Sequence, residues 1–415
     1  MEKNNSITRR LGYLSAAPRA STRPDAEVGG PRSHMLGVMR AFEALQWQVK
    51  PFIVGDRVPS SWVTKGSERA VTGGFFRTLI SDLIRLNMGA LNARRAWQEL
   101  GQQVDWVYER RAALQSLGWI FTRHGIPWIL ETNSPLFYES KAERKNVVLS
   151  QLERWLEIKA YQECDILVCV TEALKEIIVR EANIPPDKVI VLPNGVDTSV
   201  FNPEHHQPKR VFDNFTIGFV GVLYAWQGIE DLLEALHELR TEGLDMSLVI
   251  IGDGQMRTQW EALSQNLGLT NNVKFVGQVP WNEVPAYIAG FDVGYSGHVK
   301  LQIGKMYHSP LKIYEYMAMG KPVLASAFED AQRVLREGET GFLFQSGDKQ
   351  ELKSALVKAY KSQASLAEMG RQAHEEILLN HSWIARVETL IKTVDQILEP
   401  TKYQSDAKFV ASSVD

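Results

Sequence analysis

Short apolar runs rich in Val, Ile and Leu alternate along the chain with segments whose apolar residues recur every three to four positions. Runs of the first kind read as buried strands and those of the second as amphipathic helices. Their alternation predicts parallel sheets covered by helices on both faces. In the first half, strands are expected at 11–16, 49–55, 106–109, 128–131, 166–171 and 189–192. The second half repeats the scheme at 215–223, 248–251, 273–276, 293–295, 323–325 and 342–344, with helices between, for example over 229–241 and 257–267. The fold class is therefore α/β, with two doubly wound, Rossmann-like domains of similar size.

The boundary is expected around Pro193-Asn-Gly-Val-Asp197, because Asn-Gly favours a turn and the following Pro203 and Pro208 discourage regular structure. This divides the chain into 1–200 and 201–382. A last helical pattern fills 383–400, and the polar segment 401–415 reads as a frayed tail.

Composition adds limits. A chain of 415 residues is too long for one core and comfortable for two. The net charge of -3 gives no reason to expect nucleic acid as a partner. Charge is uneven, however: residues 1–110 carry 16 Lys and Arg against 10 Asp and Glu, which suits an anionic ligand or surface as well as a solvated basic face. Cys164 and Cys169 stand five apart in a predicted strand, too far to bridge, and read as small core residues in a reducing compartment. The N-terminal segment lacks a secretory apolar run, and no stretch approaches about 18 apolar residues. The expected location is the cytoplasm, with the inner face of the plasma membrane as a place of contact.

Four features of the second half bear on chemistry. Gly221, in a strand-to-helix loop ending at Gly228, lets backbone approach a ligand, although a glycine at any such turn looks similar. Gly252-Asp253-Gly254 follows a buried strand, at the edge where open α/β sheets bind ligands. Arg257 stands where a dinucleotide fingerprint needs a third glycine, which disfavours hydride transfer. Val276 and Gly277 end another strand, where backbone can meet a nucleobase edge or be merely structural. The strongest is Ser309–Val323. Here Ser309 suits the N-cap, Pro310 the first helical position, Gly320 the position past the end, and Pro322 the stop. Lys312 and Glu315, three apart, share a face. With Leu311 and the free N–H groups of the helix start, Lys312 suits a diphosphate and Glu315 suits ribose hydroxyls. A surface Lys–Glu pair is the competing reading.

LPNGVD, FVGVL with WQGIEDLLEAL, VIIGDG, VKFVGQV, SPLKIYEYMAMGKPVLAS and EGETGFLF occur in one order over roughly 189–345. In that order they resemble the nucleotide-binding half of the retaining glycosyltransferases of family four. Val28-Gly29-Gly30, after the first strand, resembles that family's Gly-Gly loop near the donor phosphates. The resemblance implies the GT-B fold, two facing Rossmann-like domains with the last helix crossing back to the first. It also implies sugar transfer from a nucleoside diphosphate, UDP- or GDP-linked, to an acceptor held mainly by the first domain. Glu315 then matches the ribose-binding glutamate, while Lys312, Ser309–Leu311 and Gly30 face the diphosphate. The sequence departs from the family at three positions. Tyr307 stands where the first glutamate of the pair belongs, and Val222 and Gln227 replace an arginine and a lysine of the first phosphate loop. Lys300, Lys305 or Arg32 are candidates to compensate.

No Asp-x-Asp motif occurs, so the expected transfer needs neither metal nor cofactor. Stabilisation of the departing diphosphate by Lys312 and the helix start carries the chemistry, and a donor phosphate oxygen takes the acceptor proton. Candidate acceptor contacts are Glu109, Arg110, Glu131 and Asn133 at strand ends, and His34, which also reads as a core histidine. The acceptor is expected to be a glycan, a lipid-linked glycan or another glycoconjugate precursor. Phe75–Leu100 sets Phe76, Leu79, Ile80, Leu83 and Ile84 beside Arg77, Arg85, Arg94 and Arg95. That pattern fits peripheral contact with an anionic membrane, or a helix packed on the sheet with its arginines in water. A catalytically degenerate nucleotide-sugar-binding scaffold and a sugar-nucleotide epimerase of the same fold are the competing functions.

Overall fold

A computed structural model describes residues 8–24, 26, 30–59, 74–142, 147–300 and 306–398. They form two compact units, one holding the chain up to Pro193 together with the segment from Trp383, the other Asn194–Ser382.

In the first unit, β1 (Arg10–Ser15), β2 (Gln48–Ile53), β3 (Trp106–Arg110), β4 (Trp128–Thr132), β5 (Ile166–Cys169) and β6 (Val189–Val191) form one parallel sheet in the order β2-β1-β3-β4-β5-β6. β4 and β5 are buried at every position, as central strands of a parallel sheet covered on both faces are, although β4 ends in the polar Glu131 and Thr132. The helix Trp383–Leu398 belongs to this unit. Trp383 packs where a Cβ on Gly37 would stand, 2.2 Å from the indole, and Arg9 forks onto Asp395 at 2.8 Å. Cys164 and Cys169 are free and buried. Cys164 caps the helix Ser150–Glu163 and does not lie on the strand as expected, because β5 begins at Ile166.

The second unit carries β7 (Phe215–Val220), β8 (Met246–Ile251), β9 (Val273–Gly277), β10 (Val293–Ser296), β11 (Val323–Ser326) and β12 (Gly341–Phe344), parallel in the order β12-β11-β10-β7-β8-β9. All twelve expected strands are present, and the two doubly wound sheets match the predicted fold class. The helix Leu311–Ala318 drives Ile313, Tyr314, Tyr316 and Met317 into the core around β10 and β11. Its register is thereby set, and Lys312 and Glu315 are turned toward the carboxyl edge of the sheet. Gly320, at φ 64°, closes the helix as expected.

Ser309 corrects one expectation. It does not cap the helix: Pro310, at φ -72° and ψ 115°, holds the cap position without a side-chain bond. The Ser309 hydroxyl turns instead to Asp330, 2.8 Å away.

Candidate functional site

In the second sheet the strand order reverses between β7 and β10, and the loops leaving these strands diverge around a crevice. Ligands of open α/β sheets bind there. Three glycine loops close its floor. Gly221 N donates to Ile251 O at 3.0 Å, Gly252 N to Gly277 O at 2.9 Å, and Leu223 N to Asp253 O at 3.1 Å. Gly252, at φ 127°, approaches so closely that a Cβ would stand 2.0 Å from Gly221 O. Gly254 lies against Leu223 in the same way. Asp253 turns back on Gly254 N at 2.8 Å. Val276 is the residue skipped where Ile250 pairs with Phe275 and Ile251 with Gly277, so its backbone leaves the ladder beside these loops.

Lys312 lies over this floor. Its side chain is buried, its ammonium donates to Gln227 Oε1 at 2.5 Å, and it sits 4.1 Å from the centroid of the Phe219 ring. A Cβ on Gly221, whose φ is 150°, would stand 3.3 Å from Nζ. Burial pushes the ammonium down to about 7, against the pull of the Glu315 charge. Burial likewise raises the half-buried Glu315 carboxyl to about 7, against the pull of Lys312. With Lys312 buried and bonded to Gln227, the pair is not the exposed surface pair of the competing reading. A buried ammonium whose bonded partner is a neutral amide is poised for an anionic ligand.

The start of the Lys312 helix is anchored by a buried network. Asn194 holds Ser309 through its backbone N–H (3.1 Å to Oγ) and its carboxamide (2.6 Å to the carbonyl). Asp330 accepts from Ser309, from Tyr314 at 2.9 Å and from Arg333 at 2.8 Å. Beside it lies a small cleft lined by Ser296, His298, His308, Pro310, Ser326 and Asp330 among others. Burial, and then the nearby Lys312 and His308, hold the His298 imidazole well below its usual value. It is neutral at pH 7.

Gly221, Gln227, Gly252, Asp253, Gly254, Val276, Gly277, Ser309, Pro310, Leu311, Lys312 and Glu315 thus all lie at the carboxyl edge of one sheet. Of the departures from the family pattern, Tyr307 is fully buried, Val222 is exposed, and Gln227 is the partner of Lys312. Lys300 is exposed, Arg32 is partly buried in the first unit, and Gly29 and Lys305 lie outside the described residues. Sequence reasoning missed four residues: Asn194, which it treated as a turn former, Asp330, His298 and Arg257, whose guanidinium lies under Gly277. His298, following β10, was findable as a polar residue at a carboxyl strand end. Asp330 carried no local signal.

In the first unit, His34 and the ends of β3 and β4 converge. His34 Nε2 lies 2.7 Å from Glu131 Oε1, both almost fully buried. With its carboxamide oxygen toward Arg110 (2.6 Å), Asn133 reaches Glu131 with its nitrogen at 3.3 Å. Desolvation lowers the His34 pKa. Against its own desolvation, His34 and then Arg110 hold Glu131 below the usual carboxylate value. The His34 Nδ1 and the Tyr13 hydroxyl are buried with no partner among the described residues, which leaves polar groups for a ligand or water. Glu109, expected among these contacts, is instead wholly buried in the chain's own support. Its carboxylate accepts from Leu117 N at 2.7 Å, Gly118 N at 2.8 Å and Ser116 Oγ at 3.2 Å. Gly30 begins the helix that carries His34.

Comparison with known proteins agrees with this geometry. Residues 28–200 match the family described as Glycosyltransferase Family 4, and residues 201–376 match Glycosyl transferases group 1. The UDP-Gal:alpha-D-GlcNAc-diphosphoundecaprenol alpha-1,3-galactosyltransferase of Escherichia coli is 25% identical over 70% of this chain and 74% of its own length. The alpha-D-kanosaminyltransferase of Streptomyces kanamyceticus is 23% identical over 61% of this chain and 66% of its own length. Among solved structures, sucrose-phosphate synthase of Thermosynechococcus elongatus superimposes with a TM-score of 0.69 at 18% identity, covering 95% of this chain and all of that one. HepE of Anabaena, in complex with UDP, gives 0.61 at 16% identity over 94% of this chain and 100% of that one. Residues 28–200 therefore form a Glycosyltransferase Family 4 domain and residues 201–376 a Glycosyl transferases group 1 domain, and the chain has the GT-B fold.

Proposed function

We propose that the protein transfers a sugar, with retention and without a metal, from a uridine diphosphate sugar to a lipid-linked glycan precursor at the cytoplasmic face of a membrane. The observation that carries the reading is the buried Lys312 ammonium at the switch point, whose hydrogen-bond partner is the neutral amide of Gln227. A diphosphate supplies the missing charge. As the bond to the anomeric carbon lengthens, negative charge grows on the leaving phosphate, and Lys312 with the N–H groups of the helix start meets it in a low-dielectric site. The acceptor hydroxyl approaches from the same side and a phosphate oxygen takes its proton, so no side chain need be the base. Glu315 suits the ribose hydroxyls, and the backbone freed at Val276 suits the base edge. In the first unit His34, Arg110, Glu131 and Asn133 suit the acceptor, whereas Glu109 is occupied by its own loop.

UDP is favoured because HepE was solved with it and the Escherichia coli relative is named for a UDP-galactose donor. That relative's acceptor, a sugar diphosphoundecaprenol, supports the lipid-linked class. The lack of an Asp-x-Asp pair in the sequence supports a metal-free transfer. The deciding experiment is a thermal-shift comparison of UDP, GDP and ADP, followed by incubation of the matching nucleotide sugars with and without a lipid-linked acceptor, in chelator. Stabilisation by UDP and release of UDP on transfer are expected. Binding without turnover on any acceptor would leave a scaffold, and release of an epimerised sugar would replace the transfer reading.

A further inference from the structure

Helix Phe75–Leu100 is built inside out. A helix on the outside of a soluble domain normally turns its apolar stripe inward. Here the buried positions are Thr78, Asp82, Gly89, Asn92, Ala93 and Ala96, together with Leu100. The reason lies in the neighbours. Asp82 accepts from Val148 N and Leu149 N, at 2.8 and 3.0 Å, and so holds the start of the helix Ser150–Glu163. At Gly89 the helix approaches Gln115 so closely that a Cβ would meet its side chain at 3.3 Å. A polar, small-residue face is what this packing needs, and the large apolar residues are left outside. Of the twelve large apolar side chains exposed among the described residues, six belong to this one helix: Phe75, Phe76, Ile80, Leu83, Ile84 and Leu91. Phe76, at 78% exposure, heads a stripe that continues at steps of four, three, one and seven, the spacing of a single helical face.

Charge on this helix is one-sided. Arg77, Arg94 and Arg95 are exposed and Arg85 is partly buried. Its two carboxylates are both engaged: Asp82 is fully buried with Arg85 at 3.1 Å, and Glu99, at the far end, is forked by Arg57 at 2.8 and 2.7 Å. Arg19 lies close enough to Arg85 for the two guanidinium groups to repel. An apolar face rimmed by cations complements a surface whose interior is apolar and whose rim is anionic. At about 1.5 Å per residue, 26 residues make a rod near 39 Å long. No helix among the described residues is long and apolar enough to cross a membrane, so this one would lie in the interface plane.

We propose that the exposed face of Phe75–Leu100 docks on an anionic lipid bilayer, with Phe76, Ile80, Leu83, Ile84 and Leu91 entering the headgroup–acyl boundary and Arg77, Arg94 and Arg95 meeting lipid phosphates. This deepens the lipid-linked acceptor reading but uses none of the donor-site residues. A failure here leaves UDP binding untouched, and a failure of the donor reading leaves vesicle binding untouched.

The test is flotation of the full chain with vesicles of phosphatidylcholine alone or mixed in equal parts with phosphatidylglycerol, at low and high salt. Two variants accompany it: Ile80→Ser with Leu83→Ser and Ile84→Ser, and Arg94→Ser with Arg95→Ser. Circular dichroism melts and UDP binding serve as controls of folding. Binding to the mixed vesicles only, weakened by salt, is expected. The arginine variant should lose about 25-fold in partitioning, at roughly fivefold per arginine, and the serine triple should no longer float. Equal binding of all three proteins overturns the proposal, as does failure of the native chain to bind. A native dimer in gel filtration that the serine triple converts to monomer, with no vesicle binding, overturns it in favour of a second copy on this face.

Discussion

Lys312 donates to the side-chain oxygen of Gln227 across 2.5 Å, joining the start of the Leu311–Ala318 helix to the loop that follows β7. A family lysine at position 227 would place a second ammonium against the first. The glutamine leaves one cation, held by a neutral acceptor and by the face of Phe219. On the proposed donor reading, more of the diphosphate binding rests on Lys312 alone.

Substitution Lys312→Met should lower kcat/KM by about 10²–10³, the cost of removing one preorganised donor from developing charge. Melting temperature should stay level or rise, because the change removes a buried charge and keeps the stem's packing. Steady-state kinetics beside a thermal melt check both; activity near native would remove Lys312 from the reaction.

Binding of UDP should take up protons. The Lys312 ammonium, at about 7 in the free protein, is charged in only about half the molecules at pH 7, and the anion selects the charged form. Glu315, also at about 7, acts in the same direction, since its ionisation as pH rises repels the ligand. Affinity should therefore fall between pH 6.5 and 8.5, by up to about tenfold per unit for each group. Calorimetry in buffers of differing ionisation heat reads the uptake, and pH-independent affinity would contradict it.

The same shifts make opposite contributions to the stability of the free protein. Between about 7 and 10.5 the unfolded chain holds more protons at Lys312, so that penalty shrinks as pH rises. Between 4.5 and about 7 the folded chain holds more protons at Glu315, so stability from that group is lost as pH rises through about 7. Denaturant melts of the native protein and the Glu315→Gln variant should diverge mainly over the lower interval.

Gly252→Ala should destabilise the second unit by about 2 kcal/mol or more, because φ of 127° is strained for any side chain and the Cβ overlaps Gly221 O. UDP binding should fall with it. An unchanged melt would mean that the two loops can separate freely.

Glu109 and Asn133 should part company. Glu109→Ala leaves the N–H groups of Leu117 and Gly118 without their acceptor and should cost about 1–3 kcal/mol of stability with little change in acceptor KM. Asn133→Ala, beside Glu131, should raise acceptor KM with the smaller stability loss. Matched melts and kinetics decide, and a rise in acceptor KM for the Glu109 variant would restore it to the site.

Periodicity and composition alone determined the twelve strands, the parallel doubly wound sheets and the helix around Lys312. Such patterns follow from local burial, because central strands of a covered parallel sheet are largely apolar on both faces. Motif order singled out glycines, Lys312 and Glu315, which the fold gathers at the carboxyl edge of the second sheet. Tertiary structure decided what depends on residues distant along the chain. Ser309 became an anchor in place of a cap because Asp330 and Asn194 fold against it. Glu109 turned inward because the loop at Leu117 needed an acceptor. The face of Phe75–Leu100 that meets water was decided in the same way. Its sequence allows either orientation of an amphipathic helix, and only the fixed partners of Asp82 and Gly89 turn the apolar side out.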